Sequence, residues 1–395
     1  MTADWRRGLL APVLAALVLR ALCLWATDRV AVDLLRYQKV ATHLLDVSWN
    51  PYETQRLYPY PPPWAAVEAS ALWLERQGVG RFAVNVKLPV LAADLAMVAL
   101  LARAAALGMA SPLAAWLYAL HPVALLIGSA HGQFDAIPLL FLLAAVLLVE
   151  RGRRDASALA LAAGIATKSF PVLALPFLAL AGGASAQAAL RYALIALAPG
   201  ALLLAPFAVL DVEALRRELF GYGGIADFGW TGVLRGAEWL ATGVLPRSEA
   251  RFWPTAAAVS RELFLLVWAA LVIAVTARRL KLPARRAVLL VLLAFSACYG
   301  LQSAQYLLWV VPLALLRPDP AVAAHAAATS AALVGFYVFL APGVLWPAAL
   351  AGDSLGVAGR VWLFGSATAL CVTAAWLGGV LREAKTSLHG AGPRV

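Results

Sequence analysis

The sequence predicts an all-α polytopic membrane protein, and its composition is the first observation that does so. Hydrophobic residues make up 63% of the 395 residues, charged residues only 13%, and the mean hydropathy is +0.80. A soluble domain is about one quarter charged, so this chain has too few charges to cover a water-facing surface. The three cysteines lie in apolar runs, and no Cys/His spacing typical of a metal site is present. Most of the surface must therefore face lipid.

The apolar runs are the second observation. The first covers residues 8–27 and follows Trp5-Arg6-Arg7. No convincing small-residue cleavage site comes after it, so we expect a retained transmembrane helix rather than a signal peptide. A span needs about 20 apolar residues, and the later runs approach or exceed that length. These runs lie at residues 84–105, 111–129, 134–150, 156–181, 188–210, 258–277, 287–316, 320–341 and 358–380.

Two of the runs are long and interrupted by polar residues. Run 156–181 breaks at TKSFP, which contains Lys168, and run 287–316 breaks at QSAQY, which contains Gln302 and Gln305. Each run forms either one long helix or two short helices that meet at the membrane surface. The hairpin alternative places the basic loops on one side, as the positive-inside rule favours, and gives about twelve helices in a single membrane domain over 1–395. Lys168, Gln302 and Gln305 then lie on the opposite side.

The charge distribution is the third observation. The formal net charge is +11, and the basic excess lies in short loops between apolar runs. Such residues set topology or meet anionic lipid headgroups, so we expect a lipid bilayer and no nucleic acid as partner. Arginine far outnumbers lysine, which suggests a GC-rich prokaryotic genome. We therefore expect a prokaryotic inner membrane, with the long loops facing the periplasm or exterior.

The first long external loop is predicted at residues 28–81. Within it, residues 33–46 place apolar side chains on one helical face and charged ones on the other, which predicts an amphipathic helix in the membrane interface. Asp33 stands at its amino end. It either caps the helix or is a carboxylate poised to take a proton from an acceptor hydroxyl. A second large external loop, rich in glycine and aromatic residues, is predicted at 211–255.

Two proline-containing motifs follow in the first loop. They are NPYE at residues 50–53 and LYPYPPPW at residues 57–64. Proline fixes an extended backbone in such a segment. Tyr58 and Tyr60 are either interfacial anchors or a stacking surface for a sugar ring. Residues 64–77 are predicted to form a second interfacial helix.

This order of features resembles the GT-C glycosyltransferases that use polyprenyl-phosphate-linked sugars. The catalytic subunit of GPI mannosyltransferase I and its bacterial relatives share the spacing from Asp33 to Asn50-Pro51-Tyr52 and the YPYPPP segment. The eukaryotic members carry D-x-D where this chain has Ala31 before Asp33, which leaves metal dependence open. Three further segments resemble the family, and they are NVKL through Asp94, HGQFD at 131–135 and QSAQYLLWVVP at 302–312.

The resemblance implies inverting transfer of a sugar, mannose in particular, from a polyprenyl-phosphate donor to a lipid or glycan acceptor on the external face. Asp33 would act as general base, no cofactor or metal is required, and the leaving phosphate would need cationic or hydrogen-bonding groups. The candidates for donor phosphate binding are Lys168, His131, Gln133, Gln305 and Tyr306. The candidates for substrate binding are Tyr58, Tyr60, Arg56, Asp135 and Lys87.

Each of these side chains also has a structural interpretation. A lysine inside an apolar run costs about 2.5–3.5 kcal/mol at the membrane centre, which marks Lys168 as functional unless it snorkels to the interface. The other polar side chains could instead form hydrogen bonds between helices. Lys87 and Asp94 lie two turns apart on one helix face and would form a structural polar pair that bridges to other helices.

Two other classes of protein compete with the transferase. A lipid or solute transporter of an envelope glycan pathway would suit broken helices, but the sequence shows no pair of matching halves and its polar residues gather on one side rather than at the midplane. A non-catalytic partner of a polysaccharide machine is the third hypothesis. Sugar transfer from a synthetic donor separates the three.

Overall fold

The computed structural model describes residues 4–27, 32–54, 58–277, 279–280, 282–340 and 354–389. Over these residues the chain is helical, with two isolated β-bridges, Ile225–Glu249 and Phe228–Gln302. The longer helices are α1 (Asp4–Ala26), α2 (Val32–Asp46), α3 (Pro62–Arg76), α4 (Leu88–Ala106), α5 (Ala136–Glu150), α6 (Arg154–Thr167), α7 (Ala186–Phe220), α8 (Gly229–Thr242), α9 (Pro254–Thr276), α10 (Ala284–Cys298), α11 (Pro320–Leu340) and α12 (Ser354–His389). This confirms the predicted all-α fold.

Six helices in the described ranges are long and apolar enough to cross a membrane. They are Leu9–Ala26, Phe82–Ala106, Ala186–Phe220, Pro254–Thr276, Pro320–Leu340 and Gly356–Ala384. Leu202 and Val209 of α7 are 73% and 86% exposed, as expected where lipid rather than protein covers a helix. The chain is therefore a multi-pass membrane protein.

The first interrupted run folds as a helical hairpin. α6 ends at Thr167, Lys168 is extended (φ −153°, ψ 136°), and the chain returns through the short helices Phe170–Ala174 and Leu175–Ala179. The guanidinium of Arg154, at the start of α6, donates to the carbonyl oxygens of Ala179 and Ala181. The two ends of the run therefore lie side by side.

The second interrupted run also turns back on itself. α10 begins near Met109, because Arg285 Nη1 donates to the Met109 carbonyl at 2.8 Å. After the short helices Ala304–Leu308 and Val311–Ala314, the Leu316 carbonyl accepts from Ser111 N at 2.9 Å. Both ends of this run thus meet the same turn. The hairpin alternative is confirmed for both runs.

The hairpins give the bundle two distinct ends. One end, which we call the arginine face, carries Arg103, Arg151–Arg154 and Arg285–Arg286. Arg285 lies 3.4 Å from Glu150 and Arg286 lies 2.7 Å from Glu383 across this face. The opposite end, the loop face, carries residues 32–54, 58–81 and 221–253. The sequence placed the same residues on opposite sides.

The loop face is built on two short amphipathic helices. In α2, Leu34 and Ala41 are fully buried whereas the Arg36 side chain is 62% exposed, which confirms the predicted helix. α3 packs against α2 and starts after Pro61, with proline at its first position, where the missing N–H costs nothing. The region predicted as a second long loop, 211–255, is partly helical. α7 runs through a kink at Asp211 to Phe220, and α8 follows.

Candidate functional site

A π-helical turn brings the central side chains of the site together. Residues Leu125–His131 form this turn, which ends at Gly132 with φ 88°. A Cβ at Gly132 would lie 2.8 Å from Lys87 Cε, so glycine suits both the left-handed backbone and the close packing. Behind the turn, the Lys87 ammonium donates to the carbonyls of Thr27 at 3.1 Å and Ala130 at 2.7 Å. His131 and Gln133 consequently point at the start of α2.

Asp33 receives hydrogen bonds from both of these side chains on one oxygen. His131 Nε2 lies 2.9 Å from Asp33 Oδ2, and Gln133 Nε2 donates to the same oxygen at 2.6 Å. The other oxygen, Oδ1, lies 4.0 Å from the exposed Arg36 guanidinium. The Asp33 side chain is 27% exposed. The carboxylate is thus held through Oδ2, which leaves Oδ1 for an incoming proton donor.

The partners of Asp33 are themselves held in place. Tyr37 OH donates to Gln133 Oε1 at 3.1 Å, which fixes the amide with its nitrogen towards Asp33. Tyr337 OH lies 2.7 Å from His131 Nδ1. His131 is therefore held at both ring nitrogens, by Asp33 at Nε2 and by Tyr337 at Nδ1. The network sets the orientation of both the amide and the imidazole ring.

The charge state of Asp33 follows from these contacts. Burial by itself would raise the Asp33 pKa, but the hydrogen bond and charge of His131, with Arg36 and Gln133, hold that pKa below its usual value. The carboxylate is then ionised at neutral pH. An ionised carboxylate with one free oxygen can accept a proton.

A second polar cluster surrounds Lys168. Its Nζ donates to Asp135 Oδ2 at 2.7 Å, and Trp309 Nε1 donates to Asp135 Oδ1 at 2.7 Å. The ammonium also lies 4.8 Å from the centre of the Phe134 ring and 5.3 Å from that of Tyr60. Only 9% of the Lys168 side chain is exposed. Lys168 therefore points into the fold instead of snorkelling to the membrane surface.

The two clusters adjoin, because Gln133, Phe134 and Asp135 are consecutive and contribute to both. The Tyr60 ring contacts Phe134 at a centroid distance of 4.9 Å, and Tyr37 contacts Phe134 at 6.3 Å. Aromatic rings thus separate the Asp33 carboxylate from the Lys168 ammonium. The structure brings together Asp33, His131, Gln133, Asp135, Lys168 and Tyr60, as the sequence predicted.

Two residues assigned to substrate binding instead occupy structural positions. Lys87 is 1% exposed, and its ammonium is bonded to the two carbonyls behind the π-helical turn. Asp94, two turns further along the chain, bonds Arg20 of α1, so both residues bridge to other segments as the structural interpretation expects. Tyr58 is 4% exposed, packs against Tyr52 and Tyr60, and holds Glu218 through its backbone N–H at 2.7 Å. Neither side chain presents a free face to a sugar.

Three further predicted residues have looser links to the site. Tyr306 packs on Trp309 at 4.4 Å and so reaches Asp135 only through that indole. Gln305 is buried, and no hydrogen bond joins it to Asp33 or Lys168 in the part of the chain that the structure describes. Arg56 lies outside the described residues. These three stay predictions.

The structure adds residues that the sequence analysis did not select. Tyr337 bonds His131 of the first cluster, and Trp309 bonds Asp135 of the second. Asp227 pairs with Arg235 at 2.8 Å. Burial raises the Asp227 pKa to about 6, while Arg235 opposes the rise and the charge of Asp33 adds to it. Asp227 thus lies within electrostatic reach of Asp33.

Binding of a metal ion would require several ligand side chains close together. Within the ranges that the structure describes, no group of three or more His, Cys, Asp or Glu side chains could hold an ion. The two carboxylates of the site, Asp33 and Asp135, are each bonded to other side chains. The arrangement is therefore one of hydrogen bonds and ion pairs.

Comparison with known proteins gives one family and one structure. Residues 38–184 match the model of a family described as alpha-(1->6)-mannopyranosyltransferase, N-terminal domain. This match bears out the predicted resemblance to mannosyltransferases over that part of the chain. The structure of ArnT from Cupriavidus metallidurans bound to undecaprenyl phosphate aligns with 96% of this chain and 78% of its own, at 17% identity and a TM-score of 0.46. No curated protein sequence matches the chain.

Proposed function

We propose that this chain is a glycosyltransferase that moves a sugar from a polyprenyl-phosphate donor to the hydroxyl of a lipid or glycan acceptor. The observation that carries the proposal is the Asp33 carboxylate, held by His131 and Gln133 through Oδ2 with Oδ1 left open. The mannosyltransferase family match over 38–184 includes His131, Gln133 and Lys168. The same match favours mannose as the sugar.

In this mechanism Asp33 acts as general base. The acceptor oxygen attacks the anomeric carbon while its proton passes to Asp33 Oδ1. The bond from that carbon to the phosphate oxygen breaks, and its electron pair leaves with the polyprenyl phosphate. The attack comes from the side opposite the phosphate, so the anomeric configuration inverts. General base catalysis of this kind contributes about 10²–10⁴-fold to a rate.

The leaving phosphate gains negative charge as the bond breaks. We assign its stabilisation to Lys168, whose ammonium has three N–H donors, one of which is directed at Asp135. Asp135 and Trp309 hold that ammonium in position before the reaction, so little reorganisation is needed when the charge develops. His131 and Gln133 are fixed on the Asp33 side of the aromatic rings and serve as positioning residues for the base.

The membrane orientation belongs to the same proposal. The arginine face would lie in the cytoplasm by the positive-inside rule, which places the loop face on the outside of a prokaryotic inner membrane. Asp33 lies in the first turn of the interfacial helix α2, which packs against α3. A donor with its tail in lipid and its phosphate at the interface would meet the site there.

An assay in detergent solution tests the function directly. The purified protein is incubated with short-chain polyprenyl-phosphate mannose and a lipid-extract acceptor, and both mannosylated product and free polyprenyl phosphate are measured. Equal amounts of the two are expected. Detergent removes the two compartments that a transporter needs, so turnover there excludes transport as its source. Donors carrying glucose, galactose or arabinose identify the sugar, and no turnover with any of them would contradict the proposal.

A further inference from the structure

The arginine face carries a groove between the ends of α4 and α5, away from the residues assigned to sugar transfer. α4 and α5 run in the same direction and both end there in the same kind of turn. Met109 N donates to the Ala104 carbonyl and Arg153 N to the Leu148 carbonyl, each at 2.9 Å, and each turn has a left-handed glycine before that residue. This is the Schellman arrangement, which ends a helix sharply. The two turns stand beside each other at one level of the bundle.

An open groove with a volume of about 220 Å³ lies between these two helix ends. Aliphatic side chains form its walls, which extend from the two turns along α4 and α5. The floor contains Ala104 and Leu147, which are 2% and 6% exposed, and Leu107 forms a rim at 38% exposure. Leu100, Ala144 and Leu148 complete the apolar part.

Arginine side chains line the mouth of the groove. Arg103 comes from the last turn of α4, and Arg151 and Arg153 flank the glycine that follows α5. Glu150, the acid of this turn, is engaged by the backbone N–H of Arg285 at 2.9 Å and by its guanidinium. In the described residues Arg151 and Arg153 belong to no ion pair. The mouth is therefore strongly cationic while the walls are apolar.

We propose that this groove binds an anionic glycerophospholipid of the surrounding leaflet. Its phosphate would lie among Arg103, Arg151 and Arg153, and one acyl chain would lie along the groove against Leu147 and Leu148. Arginine presents planar paired donors that match a phosphate, and basic pockets between transmembrane helices are suited to anionic headgroups. The aliphatic walls favour a lipid over free phosphate, because a soluble anion would leave them uncovered.

Native mass spectrometry of the whole protein in detergent tests the site, with dioleoyl phosphatidylglycerol and dioleoyl phosphatidylcholine as probes. We expect phosphatidylglycerol to bind at least about tenfold more tightly. The triple variant R103Q/R151Q/R153Q should lose that preference. The matched control R216Q/R247Q/R251Q, which removes three exposed arginines near the loop face, should retain it.

A charge-neutral variant separates the groove from a general attraction to basic protein. Ala144→Trp fills the apolar wall without changing any charge and should also weaken phosphatidylglycerol binding about tenfold. Equal binding of the two lipids, or an unchanged preference in either the triple variant or Ala144→Trp, would overturn the proposal. Displacement of the lipid by sn-glycerol 3-phosphate would also overturn it, because that outcome assigns the site to the free phosphate group.

Discussion

Two buried ion pairs in the same bundle show that burial of a charge does not by itself mark a functional residue. Arg20 Nε lies 3.1 Å from Asp94 Oδ2, and both side chains are 0% exposed. Tyr118 OH donates to the other Asp94 oxygen at 2.6 Å, so this pair ties α1, α4 and the segment Ala114–Ala119 together. Lys168 and Asp135 form a second buried pair, with Nζ 2.7 Å from Oδ2. That pair, however, lies against Tyr60 and beside the Asp33 cluster.

The cost of an intramembrane charge applies equally to both pairs, so the neighbours of each pair decide its interpretation. The pair at Arg20 is enclosed by helices and has no open side. The pair at Lys168 adjoins aromatic rings and an ionised carboxylate with a free oxygen. We therefore interpret the first as structural and the second as part of the site, and variants can separate these roles.

The largest effect is expected from Arg20→Met. Removal of the arginine leaves Asp94 buried without its charge partner, which should lower the free energy of unfolding by about 3–5 kcal/mol. Thermal unfolding in detergent measures this loss. The double variant Arg20→Met/Asp94→Leu should recover most of it, together with full transfer activity. A double variant that is stable but inactive would place this pair in the site after all.

Lys168→Met should also destabilise the protein. Unlike the Arg20 and Asp94 double variant, the matching double variant here should recover stability without recovering the transfer rate. Lys168→Met/Asp135→Leu removes both charges and should recover stability. Its transfer rate should stay about 10²–10³-fold below that of the native protein, because the donor to the leaving phosphate is gone. Rates are measured at saturating donor on protein with a normal unfolding temperature. Recovery of the rate would make the two pairs equivalent and remove Lys168 from the mechanism.

Asp227, on the loop face, should make the free energy of unfolding depend on pH. Its pKa in the folded protein, about 6, lies above the usual aspartate value, so folding favours the protonated acid. The contribution of Asp227 to the free energy of unfolding is fully present below pH 4 and is lost as the pH rises through 6. The loss is at most about 3 kcal/mol. Asp227→Asn should flatten this decline, whatever it does to overall stability. An unchanged slope from pH 4 to 7 would show that another group is responsible.

The smallest effect is expected at Glu68, a fully buried carboxyl in α3. Burial raises its pKa well above the usual value, which favours the neutral acid, and both of its oxygens lack a hydrogen-bond partner of good geometry. Glu68→Gln replaces a neutral acid by a neutral amide of the same size and should change the free energy of unfolding at pH 7 by less than about 1 kcal/mol. A loss as large as that of Arg20→Met would mean that Glu68 is ionised and paired.

The sequence was most informative where one physical pattern dominates. Apolar runs predicted the helices, the charge asymmetry predicted both hairpins, and the amphipathic pattern predicted α2. The sequence also predicted that Asp33, Gln133, Lys168 and Gln305 form one site, since they are polar side chains on the side opposite the basic loops. The structure joins the first three to the site, but in the described residues no hydrogen bond joins Gln305 to Asp33 or Lys168. Lys87 was misassigned because a one-dimensional pattern does not show that two backbone carbonyls surround its ammonium.

Other features required the three-dimensional packing. Arg20 stands in the first apolar run, but its partner Asp94 is 74 residues away and cannot be paired with it by helical spacing. Tyr337 reaches His131 across 206 residues, and Trp309 reaches Asp135 across 174. Arg20 and Tyr337 stand in largely apolar helices, and Trp309 lies in the turn between two short helices. Such a residue shows its role only when the helix that faces it is known.

The most direct test of the mechanism compares Asp33→Asn with Asp46→Asn. Both aspartates lie in α2, but Asp46 is exposed and bonded to Arg76, so it is a matched control. We expect the rate of mannose transfer to fall by about 10²–10⁴-fold in Asp33→Asn and to stay native in Asp46→Asn, with both proteins folded. Undiminished transfer by Asp33→Asn would contradict the assignment of Asp33 as the general base.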